Sequence, residues 1–420
     1  MQIRPTVPRI GIIVLLSTLL VFGAWMEVRA GKVAEVKIGN ILPLSGPSAS
    51  AGRQCRAAIE LATDSINAAG GIRSLGGARL VNVWADSRGE ASFGITAAEQ
   101  LIATDKVAVI SGAWNSAVTY PTTQVAEKAR VPYVVPVSVR DSITERGFKY
   151  TFRIAPKDSW RSRDQFRFLK DMRKASNTKI ETVAFVFEDG PWGTSMKDQW
   201  ARLVVSDGYK VVLAVPYAST AGDMTETALK IRNARPDVVL LASFTQDAVL
   251  LAGAMSALNV RVKAVVGSGG GHSSPAFLKR AGKACEYVFD TSGWEPDMNR
   301  PQIGAINAAF KGRTGSDLSA ETVDAFASVY VIASALEEAG SIDREDIRDE
   351  LADTELCRGE GRPGMDILAY RCIEFDKTGQ NEHAGYVVTQ FRDVDGTMER
   401  VTVWPKEAAR KGFAPVFPAP

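Results

Sequence analysis

Histidine is nearly absent from this 420-residue chain, which carries two, His272 and His383. On the sequence neither has a Cys, His or acidic neighbour at metal-ligand spacing, so no metal centre and no cofactor are expected. Cysteine is scarce as well, four in all, with none before Cys55; attachment of a lipid to a cysteine near the amino terminus is therefore not expected. Charge of one sign is lacking, since 50 Lys and Arg face 48 Asp and Glu. A near-neutral surface argues against nucleic acid or a strongly anionic macromolecule as partner. Low-complexity tracts are missing too; only residues 413–420 are proline-rich enough to read as an extended, loosely held end.

Long apolar runs are limited to one, Gly11 to Trp25. It falls short of the roughly 20 residues that cross a bilayer. Arg4 and Arg9 precede it and Val28-Arg29-Ala30 follows, a basic flank and a small-x-small site of the kind a signal peptidase cuts. Residues 1–30 are thus expected to be a cleaved secretory leader, with an uncleaved anchor as the alternative. Their removal takes away three arginines and one glutamate, and with them the whole formal charge of +2.

The remaining chain is too long for one compact core and suits two domains. Along it, strand and helix signals alternate. Val36, Ile38 and Leu42 begin a strand; Cys55, Ala58, Ile59, Ala62 and Ile66 then share one helical face, with Arg56, Glu60 and Asp64 opposite. Residues 80–85, 107–110 and 131–137 read as strands, with helices at 92–104 and 116–129. A second set of strands is expected at 182–187, 211–215, 238–241 and 264–266, with helices near 193–206, 224–234 and 246–258. Repeated βα packaging predicts an α/β fold of two doubly wound lobes.

Several segments together carry a family resemblance. Ile38 to Pro47 runs through Gly-Asn-Ile-Leu-Pro-Leu-Ser-Gly into a small-residue loop ending at Gly52, and the first helix closes at Ala68-Ala-Gly70-Gly71-Ile72. Further on come Ser111-Gly-Ala-Trp-Asn-Ser116, Val131-Pro132, Pro136-Val-Ser-Val139, Phe187-Glu-Asp-Gly-Pro-Trp-Gly193, Gly267-Ser-Gly-Gly-Gly271 and Phe375-Asp-Lys-Thr-Gly-Gln-Asn381. In this order and spacing the chain resembles periplasmic solute-binding proteins of the Leu/Ile/Val-binding type. The resemblance implies a type I periplasmic binding fold whose lobes are joined by three crossover segments. It places lobe one at 33–155 with 291–355 and lobe two at 156–290 with 356–420. It also implies a periplasmic monomer that captures a small molecule and delivers it to the membrane subunits of an ABC importer. A sensory ligand-binding protein of the same fold is the other reading of that resemblance.

Open α/β sheets hold ligands beyond the carboxyl ends of their strands. Ser116, at the expected N-cap of a helix, can hold a carboxylate with its hydroxyl and the free backbone N–H groups, although a serine there also caps its helix with no ligand involved. The resemblance matches Ser116 to the ligand-carboxylate serine, and Val137, Ser138 and Val139 to a backbone strip completing that pocket. Trp192 matches a position from which lobe two covers the ligand, and the flanking Gly190, Pro191 and Gly193 place it on a loop. Phe244 is a second lobe-two candidate, and Trp114 and Tyr120 lie on segments approaching the cleft. Ala51 stands where relatives often have an aromatic residue.

Gly269 departs from the family pattern. Amino-acid-binding members carry an acidic residue there to pair the ligand's ammonium, and an unpaired buried ammonium is costly. The expected solute is therefore an aromatic or other organic acid; Asp247 or Glu188 in the missing acid's role keeps amino acids and amides open. Catalysis is not expected. Neither Gly46–Gly52 nor Gly267–His272 has the Lys-Ser/Thr ending of a phosphate loop, His272 and the adjacent Ser273 and Ser274 seldom face one another on one loop, and no Gly-x-Ser-x-Gly elbow is present. In an exported protein Cys357 and Cys372 are expected to close a turn-rich segment, a crosslink worth about 3 kcal/mol in the chain-entropy account. Cys55 and Cys285 are expected to stay buried thiols, because joining them would lock the lobes together.

Overall fold

The computed structural model describes residues 33–46, 48–218, 221–359 and 363–420. The expected leader at 1–30 lies outside the described residues. Strands β1 (Glu35–Leu42), β2 (Arg79–Asp86), β3 (Val109–Gly112), β4 (Tyr133–Val135) and β5 (Thr151–Arg153) form a parallel sheet in the order β2-β1-β3-β4-β5. Strands β6 (Thr182–Glu188), β7 (Lys210–Tyr217), β8 (Val238–Ala242), β9 (Ala264–Gly267) and β10 (Phe289–Ser292) repeat that order as β7-β6-β8-β9-β10. Strands β11 (Glu355–Cys357) and β12 (Cys372–Glu374) pair with each other. An antiparallel hairpin, β13 (Val387–Val394) and β14 (Thr397–Trp404), then widens the second sheet at β10. The Val-Val-Leu-Leu-Ala stretch of β8 is buried throughout, as a central parallel strand covered on both faces must be.

The expected strands and helices are present with ends shifted by a few residues, and one feature differs in kind. The second sheet is mixed, because the β13–β14 hairpin turns tightly on Asp395 and Gly396, both at positive φ, the two-residue Asp-Gly turn that suits the twist of paired strands. The first helix, Ala49–Ala68, buries Cys55, Ala58, Ile59 and Ala62 as its pattern predicts. Its partner is the helix Ala320–Ala339, whose Val323, Phe326, Val329 and Ile332 lie in the same core. That partner starts at a Ser319–Thr322 capping box and stops at Gly340 in the left-handed region.

The chain passes between the sheets after Arg153, after Ser292 and before Val387. Leu356, Ile367, Leu368, Ile373 and Phe375 join the core built on the first sheet, with Phe375 against Phe152 at 5.4 Å between ring centres. By packing, the third passage therefore falls after Phe375, later than the 355–356 boundary expected from the resemblance. Cys357 and Cys372 form a disulfide just before that passage, joining β11 to β12. Cys55 and Cys285 are free and buried.

Candidate ligand-binding site

In each sheet the strand order reverses once, between β1 and β3 in the first and between β6 and β8 in the second. Crossovers to opposite faces leave a crevice at that point, beyond the strands' carboxyl ends. Trp114 and Ser116 follow β3; Trp192 follows β6 and Phe244 follows β8. Four of the residues singled out from the sequence thus stand at the two places where doubly wound sheets bind ligands.

On the first sheet, Asn115 is the N-cap and Ser116 the first residue of the helix Ser116–Lys128, one position inside the expected cap. Trp114 takes φ +71° between β3 and this helix. The Ser138 hydroxyl is buried and donates to the Trp114 carbonyl at 2.9 Å, so of Val137, Ser138 and Val139 the serine side chain faces inward while both valines are half-buried. The Arg140 N–H approaches the Ser116 hydroxyl at 3.4 Å, bringing this strip to the helix end. Tyr120 is sandwiched by the Arg140 and Arg146 guanidinium groups, 4.4 and 4.1 Å from its ring centre.

On the second sheet Trp192 lies in the first turn of the helix Pro191–Ser206, not on a loop; its proline at the first position starts the helix where a glycine-rich loop was expected. Trp192 and Phe244 pack together with ring centres 5.4 Å apart, and Phe244 remains 48% exposed, an apolar surface with nothing over it. Gly270 runs beneath Trp192, so close that a Cβ would sit 2.7 Å from the indole ring. Asp290 holds this glycine loop: its carboxylate accepts from the Gly269 N–H at 2.7 Å, from the Ser273 hydroxyl at 2.9 Å and from Arg400 at 2.6 Å.

Glu188 and Asp247, the two acids considered as substitutes at Gly269, are otherwise engaged. Glu188 accepts from the N–H groups of Gly190 and Gly193 at 2.6 and 2.5 Å, at the start of the Trp192 helix. Asp247 accepts through Oδ2 from the Tyr217 hydroxyl at 2.7 Å and from the Phe244 N–H at 3.2 Å, while its buried Oδ1 has no partner among the described residues. Both are buried. Beside Gly269 stand both the Asp290 carboxylate, already committed to the loop, and a basic group, the Arg161 guanidinium, which sequence reasoning missed because 108 positions separate it from Gly269. The two halves of the site meet where the helix Asp158–Ser176 begins: the Asp158 N–H donates to the Val139 carbonyl at 2.9 Å and the Ser159 N–H to Asp141 at 3.2 Å. Arg161 is one turn further on.

A pair of acids at the start of the helix Ala320–Ala339 also escaped the sequence reading. Burial pushes the Asp324 carboxyl up to about 8, with Glu321 adding to the effect and the Tyr370 hydroxyl, at 3.2 Å, offsetting part of it. Burial raises Glu321 too, and the neighbouring Trp114 indole opposes that rise. In the unfolded chain Asp324 ionises in the ordinary carboxylate range, so at neutral pH unfolding releases a proton that the folded protein keeps. Stability should therefore fall as pH rises toward 8, by about 2 kcal/mol between pH 6 and 8 at a limiting slope of about 1.4 kcal/mol per unit. Asp324→Asn should flatten that dependence in urea titrations at the two pH values. An unchanged slope would show that Asp324 is ionised in the fold.

Other concave surfaces lie elsewhere. One of about 430 Å³, lined by Ala252, Met255, Phe277 and Tyr287, runs from residues that lead into β9 and β10 and also reaches Leu241 and His272. His383 does gain acidic neighbours from the fold, Glu374 at 2.9 Å and Glu382 at 3.9 Å, on an exposed surface. His272 is buried, and burial depresses its pKa against the pull of Asp290.

The sequence profile described as "Periplasmic binding protein" matches residues 35–393. The Leu/Ile/Val-binding protein homolog 7 of Brucella suis biovar 1 is 28% identical over 388 residues, covering 90% of this chain and 93% of that protein. Among solved structures, the solute-binding protein of an ABC transporter from Rhodopseudomonas palustris BisB5, in complex with 3,4-dihydroxybenzoic acid, aligns with a TM-score of 0.67 at 19% identity, over 90% of this chain and 99% of that one. A branched-chain amino acid transporter substrate-binding protein from Streptococcus pneumoniae, in complex with isoleucine, aligns with a TM-score of 0.65 at 20% identity, over 88% and 99%.

Proposed function

The chain belongs to the periplasmic binding protein family, and on that premise we propose that it captures a small organic acid between two lobes and delivers it to an ABC importer. Residues 1–30 act as the cleaved leader. Lobe one comprises 33–155 with 291 to about 375, and lobe two the remainder. The observation that carries the reading is the placement of Trp114 and Ser116 at the strand-order reversal of one sheet and of Trp192 and Phe244 at that of the other. Ser116 and the first N–H groups of its helix receive the carboxylate, helped by the backbone of Val137, Ser138 and Val139. Trp192 and Phe244 cover the body of the solute, and contacts to both lobes favour the closed form that the importer recognises. The engagement of Glu188 in a helix end, and of the loop's own carboxylate, Asp290, with the Gly269 N–H, Ser273 and Arg400, supports an acid over an amino acid, since neither is free to pair an ammonium. Capture of branched-chain amino acids is the second reading, favoured by the name of the Brucella relative. A sensory protein would use the same closed form.

The test begins with protein purified from the periplasm, whose mass should correspond to a chain starting near Gly31; retention of 1–30 would refute the leader. A thermal-shift screen of aromatic acids, short organic acids, amides and amino acids then supplies a ligand for calorimetry. Ser116→Ala should weaken an acid roughly ten- to hundredfold, the loss of a hydrogen bond to a charged group. Trp192→Ala should weaken it too, and more for an aromatic acid. Unchanged affinity in both variants would mean that the site lies elsewhere, and tight binding of leucine would overturn the preference for acids.

A further inference from the structure

The Arg161 guanidinium keeps hydrogen-bond donors to spare. Its side chain is 16% exposed and lies on the face of Tyr386, with the guanidinium carbon 4.2 Å from the ring centre. Of its five N–H donors, one reaches the Thr291 carbonyl at 3.3 Å. The buried Nε–H has no acceptor among the described residues, and Asp158, the carboxylate beside it, is 3.8 Å away, beyond hydrogen-bonding distance. Asp290, which otherwise stands close, is held by Gly269, Ser273 and Arg400. Burial opposes the charge on Arg161, but Tyr386, Asp158 and Asp290 outweigh that and hold its pKa above the ordinary value, so it is fully charged, and a guanidinium fork with donors to spare matches a carboxylate in two parallel bonds. Gly269 gives it room: a Cβ at that position would lie 2.7 Å from Arg161 Nη1. The group therefore stands at the junction of the two strand-end clusters, one helical turn from the Asp158–Val139 bond.

We propose that Arg161 is a second anion subsite of the cleft, so that the preferred solutes are dianionic organic acids with one carboxylate at the Ser116 helix end and the other paired with Arg161. The inference rests on the solute-capture reading above. It is tested by calorimetry of the mature protein with two matched pairs, benzoate against terephthalate and butanoate against succinate. In at least one pair the diacid should bind tenfold or more tightly than the monoacid. Arg161→Gln should bring the two members to within about threefold of each other by weakening the diacid alone, and Arg161→Lys should retain part of the preference. Equal binding of mono- and diacid in both pairs, still sensitive to Ser116→Ala, would overturn the second subsite and leave the capture of acids standing. Loss of affinity for both members alike, with a lower melting temperature of the free variant, would overturn it in favour of a packing role on Tyr386. Failure of all four acids alongside tight leucine binding would overturn the capture of acids and the subsite with it.

Discussion

Replacing Arg153 with methionine is expected to lower the unfolding free energy by about 3–5 kcal/mol, the range for removing one partner from a buried charged network. Arg153 is fully buried. Its Nε donates to Gln380 at 2.6 Å, its Nη1 to the Arg140 carbonyl at 2.6 Å and its Nη2 to Thr144 at 2.9 Å. Burial pulls its pKa down to about 10, against the attraction of Asp141, so it remains charged at neutral pH and its charge is balanced by oxygens rather than by a salt bridge. Methionine fills a similar volume but leaves the Arg140 carbonyl and the Gln380 amide oxygen buried without that donor, which is costlier than never having placed them there. Main-chain bonds that methionine would keep run alongside: the Arg153 N–H donates to the Gly379 carbonyl at 2.7 Å, and the Asn381 N–H to the Arg153 carbonyl at 2.9 Å. One side chain thus ties the first passage between the sheets to the third, and to the Ser138–Arg140 strip of the site. Urea unfolding of the variant is the measurement; a loss below about 1 kcal/mol would show that water replaces the guanidinium.

Gly271→Ala is expected to cost about 3 kcal/mol of stability, the upper end for overpacking, and to weaken ligand binding at least tenfold. A Cβ on Gly271 would fall 2.0 Å from the Phe244 carbonyl carbon, 2.3 Å from its oxygen and 2.3 Å from the Thr245 nitrogen. All three are main-chain atoms, so no rotamer change relieves the overlap; the glycine loop and the turn after β8 must separate by more than about 1 Å to restore ordinary contact. That separation breaks the bond from the Gly271 N–H to the Ser243 carbonyl, 2.9 Å long, and moves Gly270 from under Trp192. Gly253→Ala is the control, since it lies in the helix Thr245–Ala257 with nothing within 4 Å of its added methyl group. It should be neutral or stabilising by up to about 1 kcal/mol. Equal behaviour of the two variants in thermal unfolding would contradict the close packing of the loop.

Local pattern explains which parts of the fold were legible. The helix Ala49–Ala68 repeats its small apolar residues at helical spacing, and the buried runs of β6 and β8 are short and bounded by turns; such signals need no knowledge of the partner. The β13–β14 hairpin went unread even though Asp395-Gly396 between two β-rich stretches is a strong local turn signal. The helix Ala320–Ala339 was also unread, although Ser319 and Gly340 mark its ends. Trp192 was assigned to a loop because Gly190, Pro191 and Gly193 break structure on average. Here Pro191 occupies the first helical position, and Glu188 caps the N–H groups that follow.

From the amino-acid order alone came the alternation of strands and helices, the family, the Cys357–Cys372 pair and the positions of Trp114, Ser116, Trp192 and Phe244 after strand ends, because each depends on neighbours within a few residues or on motifs in fixed order. The tertiary structure alone decided what surrounds Gly269. It placed Arg161 there beside Asp290, spent Glu188 on a helix end, and bound Arg153 to Gln380 across 227 positions of chain. Burial and charge at a point in space are sums over residues that the fold gathers from distant segments, and no local pattern records that sum.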